Sequence, residues 1–249
     1  MSNKFRFVNY CNIFNIFNCN QMTSPFKLYH IRCIIYLVNA MNLYEYEEKL
    51  YKEGFNYIAG VDEVGRGPLN GPVVSACVVL PKGFVLEGLN DSKKLTEKKR
   101  NAYFDVIMEK ALGVGIGMVS PEEIDEINIY EASKKSMMLA INDCKCKIEH
   151  VLIDAMKLDL DIPSTSIIKG DAKSITIAAA SVIAKVTRDK MMYELDEKYP
   201  MYGYKSHKGY PTKKHIEAIN KYGLIDGYRK TYGPVKDYLS KVNVITSDS

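Results

Sequence analysis

Apolar residues along this chain gather into unbroken runs as well as periodic ones. Ile58–Val61 and Val73–Leu80 carry almost no polar position, which is the pattern of strands covered on both faces. Between them lie Asp62, Glu63, Gly65, Arg66, Gly67 and Pro72, so the stretch predicts strand, charged turn, strand. Two further runs, Val151–Ile153 and Ile167–Ile168, lead into Asp154 and Asp171. Over 113–119, Gly113, Gly115 and Gly117 leave one strand face bare while Val114, Ile116 and Met118 fill the other. A closely packed helix is expected on the bare face.

Helical spacing takes over elsewhere. Leu43, Tyr46, Leu50 and Tyr51 share one face of a segment that Gly54 stops. Thr96 is placed to cap a basic helix, and Ser120 followed by Pro121 opens another. Within the latter, Ile129–Asp143 puts Ala132, Leu139 and Ala140 inward. Ser174 opens a helix from Ile175 to about Leu195 whose first half, 178–184, is apolar or small all round. Such a helix is buried against a sheet. In 249 residues this mixture predicts one α/β domain with small appendages.

Composition changes the picture little. The chain is 47% hydrophobic and 26% charged, as a globule is. Its net charge of +4 permits a polyanionic partner without demanding one. Residues 1–40 stand apart: they are rich in Asn, Phe, Ile and Tyr, hold Cys11, Cys19 and Cys33, and nearly lack acids. They match neither a secretory signal nor a membrane span, since Ile31–Val38 is far shorter than the roughly 20 residues a crossing helix needs. A disordered or loosely packed extension is expected there, with Met41 as the functional beginning. Cys77 and the Cys144-x-Cys146 pair lack zinc-ligand spacing. They read as buried thiols of a protein in a reducing, cytoplasmic compartment with no membrane contact.

The acids carry the chemistry. Asp62, Glu63 and Asp154 at strand ends and Asp171 ahead of a helix are expected to converge at one edge of the sheet, where open α/β sheets place their sites. Like charges gathered there cost free energy unless cations offset them. Oxygen-only donors select magnesium or manganese over zinc, and two such ions suit phosphodiester hydrolysis. The plainer reading of the first pair is a surface ion pair with Arg66. Asp159 and Asp161 read as solvated, and Asp189, beside Arg188, as an ion-pair partner. A phosphate-cradling Gly-x-x-x-x-Gly-Lys loop is missing, so nucleoside triphosphate hydrolysis is unsupported. From Tyr199 to Gly233 aromatic and basic residues interleave. That composition suits a nucleic-acid surface and a tyrosine-rich packing subdomain equally.

The segment Gly60-Val-Asp-Glu-Val-Gly-Arg-Gly-Pro-Leu-Asn-Gly-Pro72 resembles the motif of type 2 ribonucleases H, in particular bacterial ribonuclease HII. The likeness continues through the blocks Asn90–Leu95, Lys169–Ser174, Ala179–Asp189 and His207–Thr212, in family order, over about residues 57 to 235. The resemblance implies a ribonuclease H-like mixed sheet flanked by helices, with a small helical C-terminal subdomain. Domains would then be the extension 1–40, a catalytic domain 41–196 and a helical substrate-binding region 197–249. It further implies that Asp62, Glu63, Asp154 and Asp171 hold two Mg2+ or Mn2+ ions. Lys93 would contact phosphate, Gly65, Arg66 and Gly67 would sense the ribose, and Tyr210 would stack on the junction sugar. The implied activity is a monomeric endonuclease that cuts the RNA strand of RNA-DNA hybrids. It also nicks DNA 5′ to embedded ribonucleotides, leaving 5′-phosphate and 3′-hydroxyl ends, and so removes misincorporated ribonucleotides. Ala155 departs from the pattern, standing where glycine is frequent. The alternatives are the sister type HIII enzyme, for whose N-terminal domain residues 1–40 are too short, and a catalytically silent hybrid-binding module.

Overall fold

The computed structural model describes residues 43–247, with side chains to 242; the extension expected over 1–40 lies outside the described residues. Helix α1 (Glu45–Lys52) leads into strands β1 (Ile58–Val64) and β2 (Val73–Val79), then α2 (Glu97–Lys110), β3 (Gly113–Val119) and α3 (Pro121–Asp143). Strands β4 (His150–Asp154) and β5 (Ser164–Ile167) follow, then α4 (Ile175–Lys198), α5 (Tyr204–His207), α6 (Lys213–Tyr222) and α7 (Gly233–Ser247).

The strands form one mixed sheet in the order β3-β2-β1-β4-β5. The β1–β2 and β2–β3 pairs are antiparallel, while β1–β4 and β4–β5 are parallel. Both faces are covered, which is why the strands lack polar alternation. Ala76 and Val78 of β2 join a core built on α4, with Ala178, Ala179, Val182 and Ile183. Cys77 and Val79, pointing the other way, join Met137, Ala140 and Ile141 of α3.

Close approach explains the glycines. A Cβ on Gly60 would lie 2.1 Å from the Thr176 carbonyl carbon, so β1 rests directly on the first turn of α4. On the bare face of β3, Cβ atoms at Gly115 and Gly117 would lie 2.1 Å from Ala140 O and 2.0 Å from Ser136 O. The packed helix expected there is α3. Its approach also corrects one expectation: Leu139 does not face inward but is 39% exposed. The backbone at Ser136 and Ala140 occupies the contact, leaving the longer Leu139 side chain at the rim. Helix α3 also breaks at Asn128 (φ 69°, ψ 164°).

Caps fall as the residues suggest. Thr96 accepts from the Lys99 amide, Ser120 from Glu123 and Ser174 from Ile177. Helix α4 runs past the boundary expected at 196 and ends at Lys198. Around its C-terminal end a further core gathers Leu69, Met192, Tyr202, Tyr204, Ile219, Tyr228 and Val235. No helix among the described residues is long and apolar enough to cross a membrane.

Candidate active site

Strand register brings the acids together. Val61 of β1 pairs with Ile153 of the parallel β4, so Asp62 and Asp154 follow at neighbouring positions on adjacent strands. Asp62 and Glu63 lie within β1, which continues to Val64, rather than beyond its end. After Asp154 the chain turns at Ala155 in the left-handed region, φ 49°, a conformation glycine adopts without cost. Asp154 Oδ1 accepts the Gly170 amide at 2.7 Å. That bond ties the end of β4 to the turn Gly170–Ala172, which carries Asp171 up to the Ser174 cap of α4.

All four carboxyls are held above the usual carboxylate range, chiefly by burial. Asp62 is raised furthest, by burial and then by Glu63 and Asp154; a Ser181 hydroxyl and the Glu63 amide oppose the shift. Glu63 rises to about 7, by burial and Asp154 against the pull of Arg66. Asp154 and Asp171 rise by burial and by neighbouring acids, Asp91 among them. Lys93 is the responding cation: burial works against its charge, but Asp91, Asp62, Asp171 and Asp154 together raise its pKa. Asp189 is accounted for by Lys185 at 2.6 Å, and Asp159 and Asp161 are exposed.

This donor set fits divalent cations. Four oxygen-only carboxyls, raised by burial and by one another and offset only in part by Arg66 and Lys93, gather at this edge, and Glu63 Oε2 is buried with no hydrogen-bond partner. As placed, no three of the described His, Cys, Asp or Glu side chains close into a metal cage. Glu63 turns towards Arg66 (3.7 Å) and Asp154 towards the Gly170 amide. The surface ion pair read for Arg66 therefore exists, but it serves Glu63.

The loop after β1 is built to approach something. Gly65 has φ 96°, and a Cβ there would strike Arg188 Nε at 2.4 Å. A Cβ on Gly67 would stand 3.3 Å from the Tyr210 ring. The absent side chain thus lets Tyr210, 39% exposed, lie beside the loop. Tyr210 is held from behind. His215 Nδ1 donates to the Tyr210 carbonyl at 2.9 Å, Tyr228 Oη donates to His215 Nε2 at 2.8 Å, and Tyr204 Oη donates to Tyr228 at 2.9 Å. Of the interleaved aromatic and basic residues, Tyr202, Tyr204, His207, His215, Tyr228 and Arg229 are buried. The stretch is therefore split: those six are packing, while Lys205, Tyr210, Lys213, Lys214, Tyr222 and Lys230 are exposed.

Sequence reasoning missed several residues. Glu47 is fully buried and accepts from Ser174 Oγ (2.6 Å), Thr176 Oγ1 (2.8 Å) and the Thr176 amide (3.1 Å), fastening α1 to the N-terminus of α4. Ser181 and Ser92 share a 2.7 Å bond that links the Lys93 loop to the serine beneath Asp62. Arg188 and Arg229 are fully buried and pair with no carboxylate among the described residues. A helical face holding Glu47 looks like any solvated acidic face, and two basic residues look like phosphate contacts. Only burial separates these readings.

A family model described as Ribonuclease HII matches residues 59–232. The Ribonuclease HII of Bacillus cereus (strain G9842) is 57% identical over 203 residues, covering 82% of this chain and 79% of its own length. Among solved structures, the ribonuclease H2 from Pyrococcus horikoshii OT3 superposes with a TM-score of 0.66 at 28% identity, covering 75% of this chain and 99% of that one. Bst-RNase HIII in complex with Mn2+ has a TM-score of 0.56 at 17% identity, over 76% of this chain and 71% of that one, which shows a shared fold.

Proposed function

Because this chain belongs to the ribonuclease HII family and is a ribonuclease H enzyme, we propose that it cuts the RNA strand of RNA-DNA hybrids and nicks duplex DNA 5′ to a single embedded ribonucleotide. The observation that carries the reading is the meeting of Asp62, Glu63, Asp154 and Asp171 next to a glycine-flanked loop and an outward tyrosine. Asp62, Glu63, Asp154 and Asp171 would hold two magnesium or manganese ions. When bound, these supply an activated water and charge stabilisation at the leaving 3′-oxygen.

The chain's own groups do the rest. Lys93, drawn towards the acids, meets the phosphate backbone. The Gly65 and Arg66 carbonyls point inward, to Arg229 at 2.6 and 2.9 Å. In a trans peptide the N–H opposes the C=O, so the Arg66 and Gly67 amides face outward. Neither donates a bond among the described residues. Those two donors can meet a 2′-hydroxyl, the group that tells RNA from DNA, while Tyr210 stacks on the adjoining sugar. The product ends are a 5′-phosphate and a 3′-hydroxyl, and the cellular role is removal of misincorporated ribonucleotides by a cytoplasmic monomer. The free thiols Cys77, Cys144 and Cys146 support a reducing compartment.

The test is a nicking assay on duplex DNA carrying one ribonucleotide, with magnesium, manganese or chelator, beside an all-DNA duplex. Metal-dependent cutting 5′ to the ribonucleotide alone supports the whole reading. Cutting of long hybrids only would leave the acids standing and overturn single-ribonucleotide recognition.

A further inference from the structure

The loop that faces the ribose has little structure of its own. Residues 65–72 follow β1 without helix or strand, save an isolated bridge from Asn70 to Tyr228. Backbone bonds tie its middle, from Leu69 N to Gly209 O (2.8 Å), Gly71 N to Gly227 O (2.9 Å) and Arg229 N to Leu69 O (2.9 Å); its other carbonyls are held by two buried guanidiniums. Arg229 Nε and Nη2 donate to the Gly71 carbonyl (3.1 and 2.8 Å), Nη2 to Gly65 O (2.6 Å), and Nη1 to Arg66 O (2.9 Å) and Tyr232 Oη (3.0 Å). Arg188 donates to Pro72 O (3.0 Å), Asn70 O (3.1 Å) and, across to the Tyr210 segment, Lys208 O (3.0 Å). Tyr232 Oη adds a bond to Arg66 O at 2.6 Å. The segment bearing Arg229 is itself pinned to α3: Asp125 accepts the Lys230 and Thr231 amides at 2.7 and 2.9 Å.

A buried cation is costly unless its donors are satisfied, and five fixed N–H groups are what several diverging carbonyls require. Those carbonyls are the loop's own. Turning Gly65 O and Arg66 O inward is the same act as turning the Arg66 and Gly67 amides outward, because each trans peptide is rigid. The guanidinium therefore sets the direction of two donors that it never touches.

We propose that Arg229, seconded by Arg188 and Tyr232, is the positioning residue for ribose recognition: it aims the Arg66 and Gly67 amides, and discrimination of a 2′-hydroxyl depends on it. This rests on the reading of the loop given above, and its failure is separable from the failure of that reading. Lysine in place of Arg229 keeps the charge but gathers its donors on one nitrogen, without the planar fork whose Nε, Nη1 and Nη2 meet Gly71, Arg66 and Gly65 from separate points. Loss of one well-aimed hydrogen bond corresponds to about a tenfold change in affinity.

The experiment measures binding by fluorescence anisotropy in an Asp62→Asn background, which prevents turnover. The probes are a duplex with one ribonucleotide and the same duplex in all-DNA form, with magnesium present. The parent variant is expected to prefer the ribonucleotide duplex. Adding Arg229→Lys should cut that preference about tenfold while all-DNA binding stays within about twofold, since phosphate contacts carry no such information. Tyr232→Phe removes the bond to Arg66 O and one acceptor of Arg229 Nη1 but leaves the guanidinium its bonds to Gly65, Arg66 and Gly71, so it should cut the preference by about threefold and guards against misfolding of the arginine variant. A preference unchanged in both variants overturns the proposal, as does an equal loss on both duplexes, the mark of a merely structural role. A parent without preference would instead sink the ribose-reading function itself.

Discussion

The carboxyl end of the sheet and the loop that follows β1 are neighbours in sequence and are held by opposite means. Asp62, Glu63 and Asp154 stand on β1 and β4, whose parallel register fixes their spacing with backbone bonds alone. The loop 65–72 has no ladder, and its carbonyls are gathered by Arg188 and Arg229, which come from α4 and from a segment some 160 residues downstream. On the proposed reading, the acids that would hold metal sit on rigid strands, while the close approach to a sugar would fall to glycines. The loop needs side chains to supply the rigidity that the strands have already.

That contrast can be broken at either side. Asp62→Asn should lower cleavage by more than about a thousandfold while duplex binding changes only a few-fold, since the proposed phosphate contact is Lys93 rather than Asp62. Unchanged turnover would remove Asp62 from the site. Gly60→Ala tests the strands instead. Its methyl would meet the Thr176 backbone at 2.1 Å, so stability should fall by about 3 kcal/mol, at the upper end of overpacking costs, measured as a lowered urea midpoint.

The support behind Tyr210 has an acid limit. Burial holds His215 down at about 4, below the usual histidine range. Between the unfolded value of about 6.5 and the folded value of about 4 the unfolded chain binds the extra proton, so stability is full above the upper limit and falls as pH drops through this window. A loss on the order of 3 kcal/mol is expected. His215→Gln should melt lower at neutral pH yet show a flatter profile from pH about 6.5 to about 4; an equally steep profile would assign the effect to other groups, of which the stacked His207 is nearest.

Tyr210→Ala should weaken selection of the ribonucleotide junction about tenfold, with little loss of general binding, as expected for one stacking contact of about 1 to 3 kcal/mol. A fall in all-DNA binding by the same factor would make Tyr210 a general contact. The smallest effect lies at the end of β4. Ala155→Gly relieves the left-handed strain at φ 49° and should raise stability by up to about 1 kcal/mol. A lower melting temperature would show that the glycine's added unfolded-state freedom outweighs that strain.

How much of this was legible beforehand depended on the range of the interaction. The paired strands, the caps at Thr96, Ser120 and Ser174, and the helix against the bare face of β3 follow from two- and four-residue patterns and from missing side chains. Four acids at the ends of apolar runs were likewise visible, since an acid beside a buried run is costly wherever the chain places it. Leu139 was misread because the rotation of a helix against a glycine face depends on how closely the backbones meet. The tyrosine-rich stretch was ambiguous because packing and stacking select the same residue types. The sequence by itself therefore determined which elements form and which acids they deliver, for those are local preferences of neighbouring residues. The tertiary structure alone decided that Glu47, Arg188 and Arg229 are buried supports rather than surface charges, because burial is settled by distant segments closing over a side chain and leaves no periodic trace.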